Sequence, residues 1–134
     1  MLENYCKTIQ IEARTMIDMA RTMILPAVES YCGDVAKTAI AKKGVSPKIS
    51  CAYETDLLKK LSEKVSEIAE KTDELEKAVL SPEKCGNIIE EAEMIRDSLP
   101  LRMSELRVPC DEAELLTAKS YWPFPTYSDL MFGK

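Results

Sequence analysis

Leu58-Lys59-Lys60-Leu61-Ser62-Glu63-Lys64-Val65-Ser66-Glu67-Ile68 opens the stretch that decides the fold. The apolar side continues at Thr72, Leu75 and Val79 in alternating steps of three and four, with charges elsewhere. That spacing repeats one face of a helix, and so narrow a stripe is a coiled-coil-like seam. The reading is a helix over about 52–80, starting between Ser50 and Thr55. Glu67 with Lys71, and Asp73 with Lys77, have the spacing of i,i+4 ion pairs.

Downstream, Ser81-Pro82-Glu83 is a helix start: a capping hydroxyl, proline in the first turn and an acid beside it. A third helix over 82–107 then carries Cys85, Ile88, Ala92, Ile95 and Leu99 at the same spacing. A turn this tight predicts an antiparallel hairpin, seam against seam. Pro100 is expected to kink this helix and Pro109 to break it, with Asp111 and Glu114 capping a short fourth helix over 111–118. Upstream, Gly44-Val45-Ser46-Pro47-Lys48 reads as a loop that ends a long first helix over 2–43. Leu2, Tyr5, Ile9, Ala13, Met16, Ala20, Met23 and Ala27 mark its apolar face, and Pro26 predicts a kink near 22–26. Met16, Ile17, Met19, Ala20, Met23, Ile24 and Leu25 cover most of the circumference there, so the helix is expected to be buried on more than one side. Met16, Met19 and Met23 are therefore candidate interface residues.

The fold class is all-α: a long kinked helix, an antiparallel hairpin, a short fourth helix and an extended aromatic tail, in a single domain over 1–134. Composition narrows the function more than it names one. The chain has 134 residues, a net charge of −5 and no histidine. The acidic balance argues against nucleic acid, since phosphate contact needs a basic face. Missing histidine removes the commonest general base and metal ligand. Five scattered cysteines, Cys6, Cys32, Cys51, Cys85 and Cys110, read as reduced core thiols and not as a zinc site. No apolar run reaches the roughly 20 residues of a membrane span, and the first residues lack the features of a signal peptide, which predicts a cytoplasmic address.

Sites of chemistry are not evident. Asp73-Glu74-Glu76 and Glu90-Glu91-Glu93 place neighbours in different directions and read as solvated faces. Arg14, Asp18 and Arg21 share a face and read as a salt-bridge ladder. The four glycines are too scattered to form a phosphate loop, and Ser81 and Ser104 have no activating base. No catalytic residue, cofactor or metal site is assigned to this chain.

The last fourteen positions hold five of the eight aromatic residues: Tyr121, Trp122, Phe124, Tyr127 and Phe132. Pro123 and Pro125 exclude helix from Tyr121 to Tyr127. The tail over 119–134 is expected to be an apolar strap docked by Tyr121, Trp122, Phe124 and Tyr127. Together with Leu2-Glu3-Asn4-Tyr5, Ile11-Glu12-Ala13-Arg14-Thr15-Met16-Ile17-Asp18-Met19-Ala20-Arg21-Thr22-Met23-Ile24-Leu25-Pro26-Ala27 and the positions Met103, Leu106, Arg107, Asp111 and Glu114, the run Tyr121-Trp122-Pro123-Phe124-Pro125-Thr126-Tyr127-Ser128-Asp129-Leu130 resembles the C-terminal region of type III glutamine synthetases. In that family Pro109 and Cys110 would fall within uninterrupted helix. The resemblance implies an upstream catalytic region that joins ammonia to glutamate using ATP and a divalent metal, Mg or Mn. It also implies homo-oligomeric assembly, so the expected partners are that catalytic region and neighbouring subunits. The alternative is a self-standing helical module whose seam recruits a partner helix.

Overall fold

A computed structural model describes residues 2–80 and 88–125. The expected start of the hairpin's second helix (Ser81 to Glu83, and Cys85) and the end of the tail, Tyr127 included, lie outside those residues. Four helices make up nearly all of the rest: α1 (Leu2–Met19), α2 (Leu25–Val45), α3 (Ala52–Leu80) and α4 (Ile88–Leu116). A π-turn, Ala20–Ile24, joins α1 to α2, and a 3₁₀ turn, Lys119–Tyr121, follows α4.

Three ion pairs give the register of α3 against α4. Lys64 meets Glu112 at 3.2 Å, Lys71 meets Glu105 at 3.5 Å, and Glu74 meets Arg102 at 3.8 Å. One number falls as fast as the other rises, so the helices are antiparallel. Between them the side chains of Leu61, Ile68, Thr72, Leu75, Leu99 and Leu106 are fully buried. Each large aliphatic side chain contributes about 1.5–3 kcal/mol by leaving water. The ion pairs foreseen within α3 are not the ones that form. Glu67 pairs with Lys64, Asp73 with Arg21, and Lys71 with Glu74 and Glu105. Neighbouring helices offer counter-charges that an isolated helix lacks.

The break expected at Pro109 is also absent. One helix runs from Ile88 to Leu116 with Pro100 and Pro109 inside it, so residues 111–118 form no separate fourth helix. Leu106, Pro109, Cys110 and Ala113 are all buried in one stripe. Ending the helix at Pro109 would pull that stripe off the core, which outweighs the roughly 3 kcal/mol a helical proline costs.

The first rod holds its line by a different device. Ile9, Ala13, Ile17, Ala20, Ile24 and Val28 are all buried. At roughly 100° per residue, an unbroken α-helix would turn Val28 roughly 100° away from Ile9. The π-turn takes one extra residue into a single turn and removes that drift. Its signature is the Leu25 N–H bonding the Ala20 carbonyl, five residues back, and Pro26, which has no N–H, follows directly. Ile9, Ala13 and Ala20 of the expected face are buried, and elsewhere the face lies one residue along: Cys6, Ile17, Ile24 and Val28 are covered, whereas Tyr5 and Met23 are exposed.

Cys6 Sγ donates to the Ala92 carbonyl at 3.4 Å, and farther along Met19 and Ala20 lie beside Leu106 and Cys110. α1 therefore runs parallel to α4. Arg21 reaches Asp73 and Glu76 while Lys42 reaches Glu54, so the rod of α1 and α2 is antiparallel to α3. At the turn into α3, Ser50 Oγ accepts the Ala52 N–H at 3.3 Å and Cys51 Sγ donates to the Ala39 carbonyl at 3.4 Å.

Candidate docking surfaces

Among the described residues, two apolar surfaces stand out as candidates for docking, and α4 contributes to both. The first is a groove of about 580 Å³ between Ile11, Met16 and Met19 of α1 and Met103, Leu106 and Cys110 of α4. Parallel packing of the helices, with small Ala13 and Ala20 at the contact, leaves the longer side chains to form its walls. Unbranched methionines suit such a wall because they repack around different partners. The groove has no reactive group. Burial, aided by the charge of Asp111, pushes the Cys110 thiol up to about 11. At neutral pH its thiolate fraction is then about 100-fold below that of an ordinary thiol. Iodoacetamide should accordingly label Cys110 about 100-fold more slowly in the folded chain than in urea, as followed by peptide mass spectrometry. Comparable rates in the two states would show that the groove does not protect the thiol.

The second surface is a stripe on the outer side of α4. Leu101, Val108 and Leu115 are 59%, 58% and 88% exposed, and Met94 continues the series. They are spaced by sevens, nearly two full turns, so they share one face. Leu101 stands roughly 200° round the helix from buried Leu99, facing away from the core. The heptad spacing was legible in the sequence, but a helix read as ending at Pro109 separates Leu115 from the other members.

The expected interface residues divide between several places. Met16 and Met19 line the groove, but Met23 lies outside it and is 38% exposed. Tyr121 packs on Tyr31 of α2, with ring centroids 4.9 Å apart. Trp122 and Phe124 are half-buried against the chain's own core and meet edge to face at 6.3 Å. Trp122 is extended (φ −74°, ψ 127°), as a residue before proline prefers.

Polar clusters behave as structural ties. Arg21, on the π-turn, forks to Glu76 at 2.7 Å and Asp73 at 2.9 Å. The hydrogen bonds that Arg21 donates to Glu76 and then to Asp73 raise the guanidinium's pKa, and Arg21 in turn holds Glu76 below the usual carboxylate range. Arg14 and Asp18 form no ion pair among the described residues, so the expected ladder is replaced by a bridge between helices. Among the described residues, no three His, Cys, Asp or Glu side chains converge as metal ligands, and no helix is long and apolar enough to cross a membrane.

Residues 1–43 match the family described as glutamine synthetase C-terminal domain. A glutamine synthetase from Butyrivibrio fibrisolvens is 32% identical over 133 residues, covering 99% of this chain and 19% of that protein. One from Bacteroides fragilis (strain YCH46) is 26% identical over 137 residues, covering 99% and 19%. A type-3 glutamine synthetase from Dictyostelium discoideum is 24% identical over 139 residues, covering 98% and 18%. The chain thus spans about a fifth of the length of the curated relatives it matches.

Proposed function

We propose that this chain, which matches glutamine synthetases along nearly its whole length and their C-terminal domain over residues 1–43, is the non-catalytic helical domain of such an enzyme. The parent enzyme would join ammonia to glutamate at the expense of ATP. ATP and the divalent metal, Mg or Mn, would be held by its catalytic region. The donor groups described here do not fit them, because the carboxylates that cluster are engaged by Arg21, Lys42, Lys64 and Lys71. No catalytic step is assigned to this chain.

Its role in this reading is to brace the catalytic region and hold neighbouring subunits together. The carrying observation is the row of Leu101, Val108 and Leu115, exposed aliphatic side chains set every second turn of α4 and directed away from the chain's own core. Water-exposed aliphatic side chains in register along one helix mark a contact surface. The groove beside Met16 and Met19 supplies a second one, and Trp122 and Phe124 pin the returning chain to the domain.

The test is Val108→Glu with Leu115→Glu in the full-length synthetase. Light scattering should show the native oligomer reduced to smaller species, with loss of glutamine synthesis. The same pair in the isolated chain should change its stability by no more than about 1 kcal/mol, as for exposed sites. Full-length enzyme with unchanged assembly and activity would overturn the bracing role.

A further inference from the structure

Where Tyr121 returns to α2 lies a second cleft, of about 260 Å³, which the docking role does not use. Its walls include Tyr31 and Asp34 of α2, Tyr53 and Glu54 at the start of α3, and Tyr121 itself. Three phenol rings and two carboxylates thus come together from three separate elements. The Tyr121 hydroxyl donates to Asp34 Oδ2, and the rings of Tyr121 and Tyr31 pack at a tilt of 49°. The hydrogen bond to Asp34 raises the pKa of Tyr121, and burial raises that of Tyr31, so both remain neutral rings with electron-rich faces.

Glu54 makes the cleft more than an aromatic surface. It is 4% exposed, and its Oε2 meets Lys42 Nζ at 2.5 Å. That hydrogen bond holds the carboxyl below its ordinary range, so it stays ionised. Its Oε1 is buried and receives no hydrogen bond among the described residues. A buried carboxylate oxygen without a donor is costly, and native structures nearly always supply one. Lys42 balances one of the two negative charges and Asp34 leaves the other. A cleft with three phenol faces, the Asp34 carboxylate and Glu54 in its wall has the chemistry that recognises an organic ammonium ion.

We propose that this cleft binds a small alkylammonium group, with an N–H directed to Glu54 and the carbon next to the nitrogen against the tyrosine rings. Such a group belongs equally to a free amine and to a lysine side chain of another polypeptide segment. Neither the glutamine synthetase relationship nor the docking surfaces enter this inference.

Ring-labelled tyrosine NMR of the chain tests it, using methylammonium, N-acetyl-lysine amide and, at matched ionic strength, sodium chloride. Saturable shifts of the Tyr31, Tyr53 and Tyr121 rings are expected with an ammonium probe and not with sodium. Saturation by methylammonium at the lower concentration points to a free amine, and by the lysine amide to a polypeptide lysine. Glu54→Gln should weaken binding roughly three- to tenfold by removing a charge-assisted hydrogen bond. Tyr53 is 72% exposed, so Tyr53→Leu leaves the fold in place. Losing one cation–π face there should weaken binding roughly two- to fivefold. Equal responses to sodium and ammonium, or unchanged affinity in Tyr53→Leu, would overturn the proposal.

Discussion

Replacing Leu75 with alanine is expected to destabilise the chain by about 3–4 kcal/mol, the usual cost of emptying a well-packed core site. Leu75 is completely buried, in the seam where α3 meets α4. Truncation removes apolar contacts on both helices and leaves a cavity that rigid flanking turns do not close. In a chain of this size the loss corresponds to a fall in Tm of roughly 12–16 °C. Leu115→Ala is the matched control. Leu115 is 88% exposed, so its truncation should shift stability by no more than about 0.5 kcal/mol. Thermal and urea denaturation of the two variants would compare them directly. Similar losses at both sites would mean that the seam between α3 and α4 is not where stability resides.

Pro109→Ala should act in the opposite direction and raise stability by about 1–2 kcal/mol. Pro109 lies inside α4 with continuous helix on both sides. Alanine restores the N–H that proline lacks and relieves crowding of the carbonyl four residues back, at Glu105, together worth about 3 kcal/mol in a helix interior. Against this, proline is buried here, and alanine removes two ring methylenes from the core at about 0.8 kcal/mol each. The net sign still favours alanine. A gain in Tm of several degrees, with unchanged helical circular dichroism, is the expected result. A loss of stability would mean that the proline shapes the helix in a way the core requires.

The same residue shows why part of the fold was legible and part was not. Local preference places a break at Pro109, and Asp111 with Glu114 resembles a fresh cap. The chain instead keeps Leu106, Cys110 and Ala113 on one covered stripe. Proline costs are local and nearly constant, whereas the burial opposing them depends on neighbours distant in sequence. The outer stripe of α4 was missed for this reason, since Leu115 joins Leu101 and Val108 only if the helix continues. The groove was half legible: Met16 and Met19 stood out as surplus apolar residues on α1, but their partners Met103, Leu106 and Cys110 come from α4.

By itself the sequence determined that the protein is all-α, where α3 lies, and that Leu61, Ile68, Thr72, Leu75 and Val79 of its seam face inward, whereas Leu58 and Val65 are only half-buried. Those features follow from helical periodicity, which is written in consecutive residues. The tertiary structure decided the rest: the continuity of α4 through two prolines, the π-turn that realigns the first rod, the transfer of Asp73 and Glu76 to Arg21, and the meeting of Tyr31, Glu54 and Tyr121. Each of these depends on packing between residues far apart along the chain. Burial and ion pairing act across space, so only the packed helices could select among arrangements that local preference leaves close in energy.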